Sequence, residues 1–148
     1  MEKTIFVGDA FAGKTVLISG GTSGIGLAAA KIFCTGGAQV ALMGRDEERG
    51  QAAIHTLLGG ANARYIAGDV RVRVDCACAV EDCARTFGGV DILLNSAGIY
   101  AEGALDDLTE DMLEELIATN VKGTFHLTQA ALPYLRKTRG NIVNVASD

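Results

Sequence analysis

Hydrophobic positions in this chain follow two alternating rhythms. Short apolar runs occur as TVLIS (15–19), QVALM (39–43), RYIA (64–67), DILLN (91–95) and NIVNV (141–145). They are too short for helices and rich in branched residues, which predicts buried strands. Between them, apolar residues recur at helical spacing from about Gly24 to Thr35, Asp46 to Leu58, Val74 to Phe87 and Thr109 to Lys137. Strand alternating with helix on short connections predicts an α/β fold, a parallel sheet with helices on both faces. No linker, repeat or charge block interrupts the pattern, and 148 residues suffice for a single domain with a real core.

The last helical stretch is the most periodic. Met112, Leu113, Leu116, Ile117, Val121, Thr124, Phe125, Thr128, Leu132 and Leu135 form one stripe, expected to face the core. Asn120 lies inside that stripe. A polar side chain facing a core must find partners, so Asn120 either satisfies a backbone group or has a chemical task.

Composition narrows the function. The chain holds 19 glycines against one proline and no tryptophan, so the glycines have to be read by position. A net charge of -5 and a pI near 5.0 leave no basic footprint for a nucleic-acid backbone. Neither a secretory core nor a run of roughly 18 apolar residues is present, which predicts a soluble, cytoplasmic protein with no membrane partner. Cys34, Cys76, Cys78 and Cys83 lack metal-knuckle spacing and a nearby histidine. They are expected to be reduced and to pack as small apolar residues on helices, with no metal bound. His55 and His126 are expected in surface or packing roles.

Two glycine loops compete for a phosphate. GDAFAGKT, Gly8 to Thr15, matches the P-loop pattern GxxxxGK[ST] of nucleoside triphosphatases. A P-loop has to open a helix, whereas Thr15 here opens a strand and places Lys14 at its start. The second loop, SGGTSGIG (Ser19 to Gly26), stands after the first strand and before a helix. In it Gly20 allows the tight turn, Gly24 lets backbone approach a pyrophosphate, and Gly26 lets the helix pack on the strand. Thr22, Ser23 and Ile25 complete the loop, and the helix start would hold the anion. A hydrolase elbow, GxSxG, fails at Ile25. A glycine turn with no ligand is the plain alternative.

The spacing Gly20, Gly24, Gly26 is GxxxGxG, and it resembles the TGxxxGIG loop of the short-chain dehydrogenase/reductase family, with Ser19 in place of threonine. Asp69-Val70 resembles that family's adenine-contacting pair. Asn95-Ser96-Ala97-Gly98 is similar to its NNAG segment, which steadies the sheet beside the cofactor, with Ser96 departing from the second Asn. Asn120-Val121-Lys122-Gly123 matches its NxxG, where the Asn distorts the helix and exposes a carbonyl for a proton-relay water. Ser147 falls where the family keeps the serine that bonds the substrate carbonyl. The resemblance runs from about Phe11 to the last residue. It implies a Rossmann-type doubly wound sheet in three layers, α/β/α, and hydride transfer between a nicotinamide cofactor and an alcohol or carbonyl substrate. It also implies a homo-oligomer, dimer or tetramer.

Cofactor choice turns on the end of the second strand, where an acid would bond the ribose 2'-hydroxyl and repel a 2'-phosphate. Gly44 stands there, followed by Arg45, whose guanidinium can pair with a phosphate, so NADP is favoured. Under the counter-reading Arg45 solvates a helix start and Asp46, Glu47 or Glu48 turns to a ribose, which would select NAD.

Proton transfer remains. In the family it belongs to the Tyr of a Tyr-x-x-x-Lys motif on the helix after the Ser147 strand, and no such motif occurs in these residues. Tyr134 and Lys137 are one residue short of it, and Tyr65 and Tyr100 have no lysine four residues on. The sheet is therefore expected to be truncated after the fifth strand, and the chain alone to be inactive. A non-catalytic nucleotide-binding or subunit-pairing module is the second reading, and a P-loop triphosphatase the third.

Overall fold

The computed structural model describes residues 8–57 and 62–146. The elements run β1 (Thr15–Ser19), α1 (Gly24–Thr35), β2 (Gln39–Gly44), α2 (Glu47–His55), β3 (Ala63–Ala67), α3 (Arg73–Phe87) and β4 (Ile92–Asn95). A 3-10 turn (Leu105–Asp107), α4 (Glu110–Leu116), a π-helical segment (Ile117–Gly123), α5 (Thr124–Thr138) and β5 (Asn141–Asn144) follow. The five strands are parallel in the order β3-β2-β1-β4-β5. The chain winds outward from β1 to β3, then crosses back to β4 and β5. Strand order thus reverses between β1 and β4, as in a Rossmann-type doubly wound fold.

Alternation along the strands builds two cores. Val16, Ile18, Val40 and Leu42 meet Ala30 and Cys34 of α1 and Ala53 of α2 on one face. Leu17, Ala41, Met43 and Leu93 meet Cys76, Ala79, Val80 and Cys83 of α3 and Leu127, Ala131 and Leu135 of α5 on the other. Strands buried on both faces explain why TVLIS and QVALM read as continuous apolar runs.

Below the sheet, Asp91 fastens three strand starts. Its carboxylate accepts from Thr15 N–H at 2.9 Å and pairs with Lys14 at 3.2 Å, while its carbonyl accepts from Asn141 N–H at 2.9 Å. Lys14 of the P-loop-like segment is therefore an ion-pair partner at the opening of β1, with no helix following it.

Three expectations need correction. The long periodic helix is divided: α4 and α5 are separated by the π-helical segment around Asn120. That insertion shifts the helical phase, so the buried positions are Thr119, Gly123, Leu127, Ala131 and Leu135, spaced by four. Val121 and Phe125, expected inside, are 62% and 58% exposed. Gly123 belongs to the buried set because a Cβ there would stand 2.7 Å from Val70 Cγ2. The second correction is β5, expected to be buried, where Ile142 and Val143 are 38% and 48% exposed. Among the described residues it pairs with β4 alone, and the helices cover it incompletely. Third, α2 starts after Asp46 and ends at His55; Leu58, expected to close it, lies outside the described residues.

Cys34, Cys76 and Cys83 are buried and Cys78 is exposed, all as free thiols. Burial pushes Cys76 up to about 11 and Cys83 up to about 12, with Asp75 and Asp82 respectively adding to it. Alkylation of the native protein near pH 8 should therefore label Cys78 first, because the thiolate is the reactive form. Peptide mapping that found Cys76 or Cys83 labelled before Cys78 would contradict this packing.

Asp82 of α3 is gripped by Arg85 and by Arg64 of β3, the latter at 2.8 Å. These bonds, Arg85's foremost, hold its carboxyl below the usual range. A carboxyl depressed by folding adds stability above its unfolded pKa of about 3.9, and that stability is lost as pH falls through the folded value. Asp82→Asn should flatten the acid limb of a Tm-against-pH profile below about pH 4. An acid limb identical to that of the parent protein would rule this out.

Candidate functional site

The site begins at Ser19, the buried last residue of β1. Its Oγ accepts from the N–H groups of Ser96 and Ala97, each at 3.3 Å, which ties the ends of β1 and β4 together where strand order reverses. The chain then turns at Gly20 with φ 65°, and a Cβ there would fall 2.7 Å from Ala97 Cα. Only glycine fits both the left-handed turn and that approach. Gly26, in the first turn of α1, is buried against this turn, and a Cβ on it would overlap the Gly20 carbonyl. Gly24 has φ 51° with open space above it.

At the start of α1, Ser23 occupies the N-cap position in extended conformation, but its side chain makes no capping bond. The first-turn N–H groups of a helix have no intrahelical acceptor. Here they open on a cleft of about 660 Å³ at the carboxyl ends of the strands. This is where open α/β sheets bind ligands, and a helix start offers an anion both donors and a favourable dipole.

Of the residues expected in the site, Gly20, Thr22, Ser23, Gly24 and Ile25 line the cleft from the loop. Arg45 lines it from the end of β2, Asp69 and Val70 from the end of β3, and Ala97 and Gly98 from the end of β4. Gly26 and Asn95 stand beneath the wall, and Ser147 lies outside the described residues. Asn95 Nδ2 donates to Asn144 Oδ1 at 2.8 Å and Thr128 Oγ1 at 3.1 Å, so this side chain joins β4 to β5 and α5. Its own Oδ1 is buried with no partner among the described residues.

Asn120 is exposed on the π-helical segment. Its amide grips one backbone unit twice, Oδ1 accepting from Ile99 N–H at 2.9 Å and Nδ2 donating to Ile99 O at 2.8 Å. Its carbonyl accepts from Thr124 Oγ1 at 3.0 Å. The polar interruption of the apolar stripe thus marks a distorted helix and an anchored loop after β4.

Charge is arranged unevenly around the cleft. Arg45 is exposed and makes no hydrogen bond or ion pair with any described residue. Asp46 lines the cleft beside Arg45, and its Oδ1 accepts from Arg49 N–H at 3.0 Å as the N-cap of α2. Glu47 and Glu48 lie in the first turn of α2 outside the cleft wall. The hydrogen bond from Arg71 holds the Asp69 carboxyl below its ordinary range against the opposing effect of burial, with Arg45 adding a smaller pull.

Of the tyrosines, Tyr65 is spent on structure, donating its hydroxyl to Gly44 O at 2.8 Å, and desolvation pushes its phenol up. Tyr134 packs on the α3/α5 core, with Lys137 Nζ 6.0 Å from its ring. Tyr100 lines the cleft and is 83% exposed. Arg49, Ile99 and Thr119 also line the cleft without having been expected there. Arg49 lies in the first turn of α2, beside the cleft-lining N-cap Asp46. Nothing local marked Ile99 or Thr119, which the loop and the π-helical segment bring in.

The family model described as short chain dehydrogenase matches residues 14–148. An L-fucose dehydrogenase from Bos taurus is 36% identical over 142 residues, covering 95% of this chain and 52% of its own. A 3-oxoacyl-[acyl-carrier-protein] reductase from Chlamydia pneumoniae is 38% identical over 143 residues, covering 91% of this chain and 55% of its own. The crystal structure of a short chain dehydrogenase from Burkholderia cenocepacia J2315 in complex with NADP superposes with a TM-score of 0.85 at 38% identity, covering 92% of this chain and 56% of that one. The chain belongs to the short-chain dehydrogenase family of oxidoreductases. It spans about half the length of the curated relatives it matches.

Asn120→Ala should free the Ile99 backbone and leave the α/β core intact. Amide exchange at Ile99 is expected to speed up by about tenfold or more, with the amides of β1 and β4 unchanged. Exchange at Ile99 equal to the parent's would show that the double hydrogen bond does not hold this loop.

Proposed function

We propose that this chain forms the cofactor-binding part of an NADP-dependent reductase or dehydrogenase acting on an alcohol/carbonyl pair. One observation carries the reading: the start of α1, with no side-chain cap, and the guanidinium of Arg45, unpaired among the described residues, border one cleft at the strand-order reversal. In this reading the loop from Gly20 to Gly26 cradles the pyrophosphate and Asp69 with Val70 receives the adenine. Ala97 and Gly98, held over the buried Asn95, form the wall beside the nicotinamide. Bound NADPH supplies the hydride.

Arg45 meets the 2'-phosphate through two parallel N–H donors, the geometry that suits a guanidinium. The alternative, an acid on the ribose selecting NAD, would have to use the second oxygen of Asp46, whose first caps α2. Asn120 positions the loop beside the reacting centre, and Ser147 bonds the substrate oxygen. The named relatives act on L-fucose and on a 3-oxoacyl group, so the proposal stops at the carbonyl chemistry common to both. A cytoplasmic homo-oligomer acting on a small molecule completes the reading.

Nucleotide binding tests it directly. The protein should bind NADPH more tightly than NADH, and Arg45→Asp should cost about tenfold or more in NADPH affinity while sparing NADH. An equal NADPH dissociation constant before and after the change would refute the role of Arg45. No binding of either nucleotide would refute the site.

A further inference from the structure

Arg71, two residues beyond the expected adenine contact, is engaged on two sides. Asp69 accepts from the backbone N–H of Arg71 at 2.9 Å, from Nε at 3.1 and 2.9 Å, and from Nη2 at 2.6 Å. The other terminal nitrogen, Nη1, donates to Glu115 Oε1 of α4 at 3.1 Å. On the opposite side, Asp75 of α3 accepts the backbone N–H of Asp69 at 2.9 Å. Asp69 lines the cleft and Arg71 does not. The arginine therefore grips the carboxylate from outside the cleft.

An ionised carboxylate offers about four acceptor positions, and Arg71 directs three donors at them, its Nε shared between the two oxygens. What remains is a carboxylate with little freedom to rotate. An acceptor already fixed loses less entropy when it meets a ligand than one that has to be ordered on binding. We propose that Arg71 is a positioning residue for adenine recognition, fixing the Asp69 carboxylate so that its remaining acceptor position meets the exocyclic amino group of the nucleotide. Through Glu115, the same arginine anchors the adenine end of the cleft to α4. This inference rests on the nucleotide-site reading above.

The test compares NADPH with its reduced hypoxanthine analogue, which carries an exocyclic oxo group where adenine has the amino group. Dissociation constants are measured by fluorescence titration of the full chain. The parent protein should prefer NADPH by about tenfold, the scale of one hydrogen bond to a charged acceptor. Arg71→Ala should bring that preference close to one by weakening NADPH binding, with affinity for the analogue unchanged. In an Asp69→Asn background, Arg71→Ala should have no further effect on the preference.

Equal weakening of both nucleotides by Arg71→Ala would reduce Arg71 to a structural brace and overturn the inference, as would an unchanged preference. If Arg71→Ala does not fold, Arg71→Lys serves, keeping the charge and losing the fork. It should retain only part of the preference, and the full parental preference in that variant would overturn the inference. A parent protein that binds both nucleotides equally overturns this inference alone. One that binds neither overturns the nucleotide site itself.

Discussion

Everything at the upper end of the sheet depends on how closely the turn after β1 approaches the end of β4. The Ser19 hydroxyl accepts two backbone N–H groups from Ser96 and Ala97, and Gly20 passes so near Ala97 that no side chain fits between them. Two parallel strands that diverge in topology are thereby closed at one point. The closure aims the start of α1 at the cleft, since Gly26 seats the helix directly on the Gly20 carbonyl. A wider turn would tilt α1 away and scatter the N–H groups that a phosphate needs together.

Charge follows from the same economy. Carboxylates near the cleft are occupied: Asp46 by the first turn of α2, Asp69 by Arg71, and Asp75 by the backbone of Asp69. Occupied acids repel an incoming anion less than free ones. Arg45 keeps its donors, so a chain with a net charge of -5 still presents a cationic group at the end of β2. Local pairing, and not overall charge, sets what this cleft can hold.

Much of this was legible in the sequence, for identifiable reasons. Strand runs buried on both faces read plainly, because TVLIS and QVALM have no polar face to confuse the pattern. The glycine loop read well because steric demands leave few substitutes at Gly20 and Gly26. Three things did not read. The phase of the last helix was hidden, because a bonding pattern shifted by one residue leaves no compositional mark; Asn120 was its only trace. Exposure of β5 depends on what packs across it, a tertiary fact with no local sign. Arg71 escaped because its role comes from a fork to Asp69 and a reach to Glu115, 44 residues away, which spacing alone does not reveal.

The π-helical segment carries a consequence for how this half of the molecule can vary. A regular helix behaves like a solid axle, so that rotating one end rotates the other. The seven residues from Ile117 to Gly123 act instead as a coupling between two shafts that are out of phase. On one side α4 can be re-faced to suit the loop that carries Ile99 and Tyr100. On the other, Leu127, Ala131 and Leu135 stay locked into the seam with α3. Variation at the loop and integrity of the core are thereby placed on separate gears of what looks, in sequence, like a single helix.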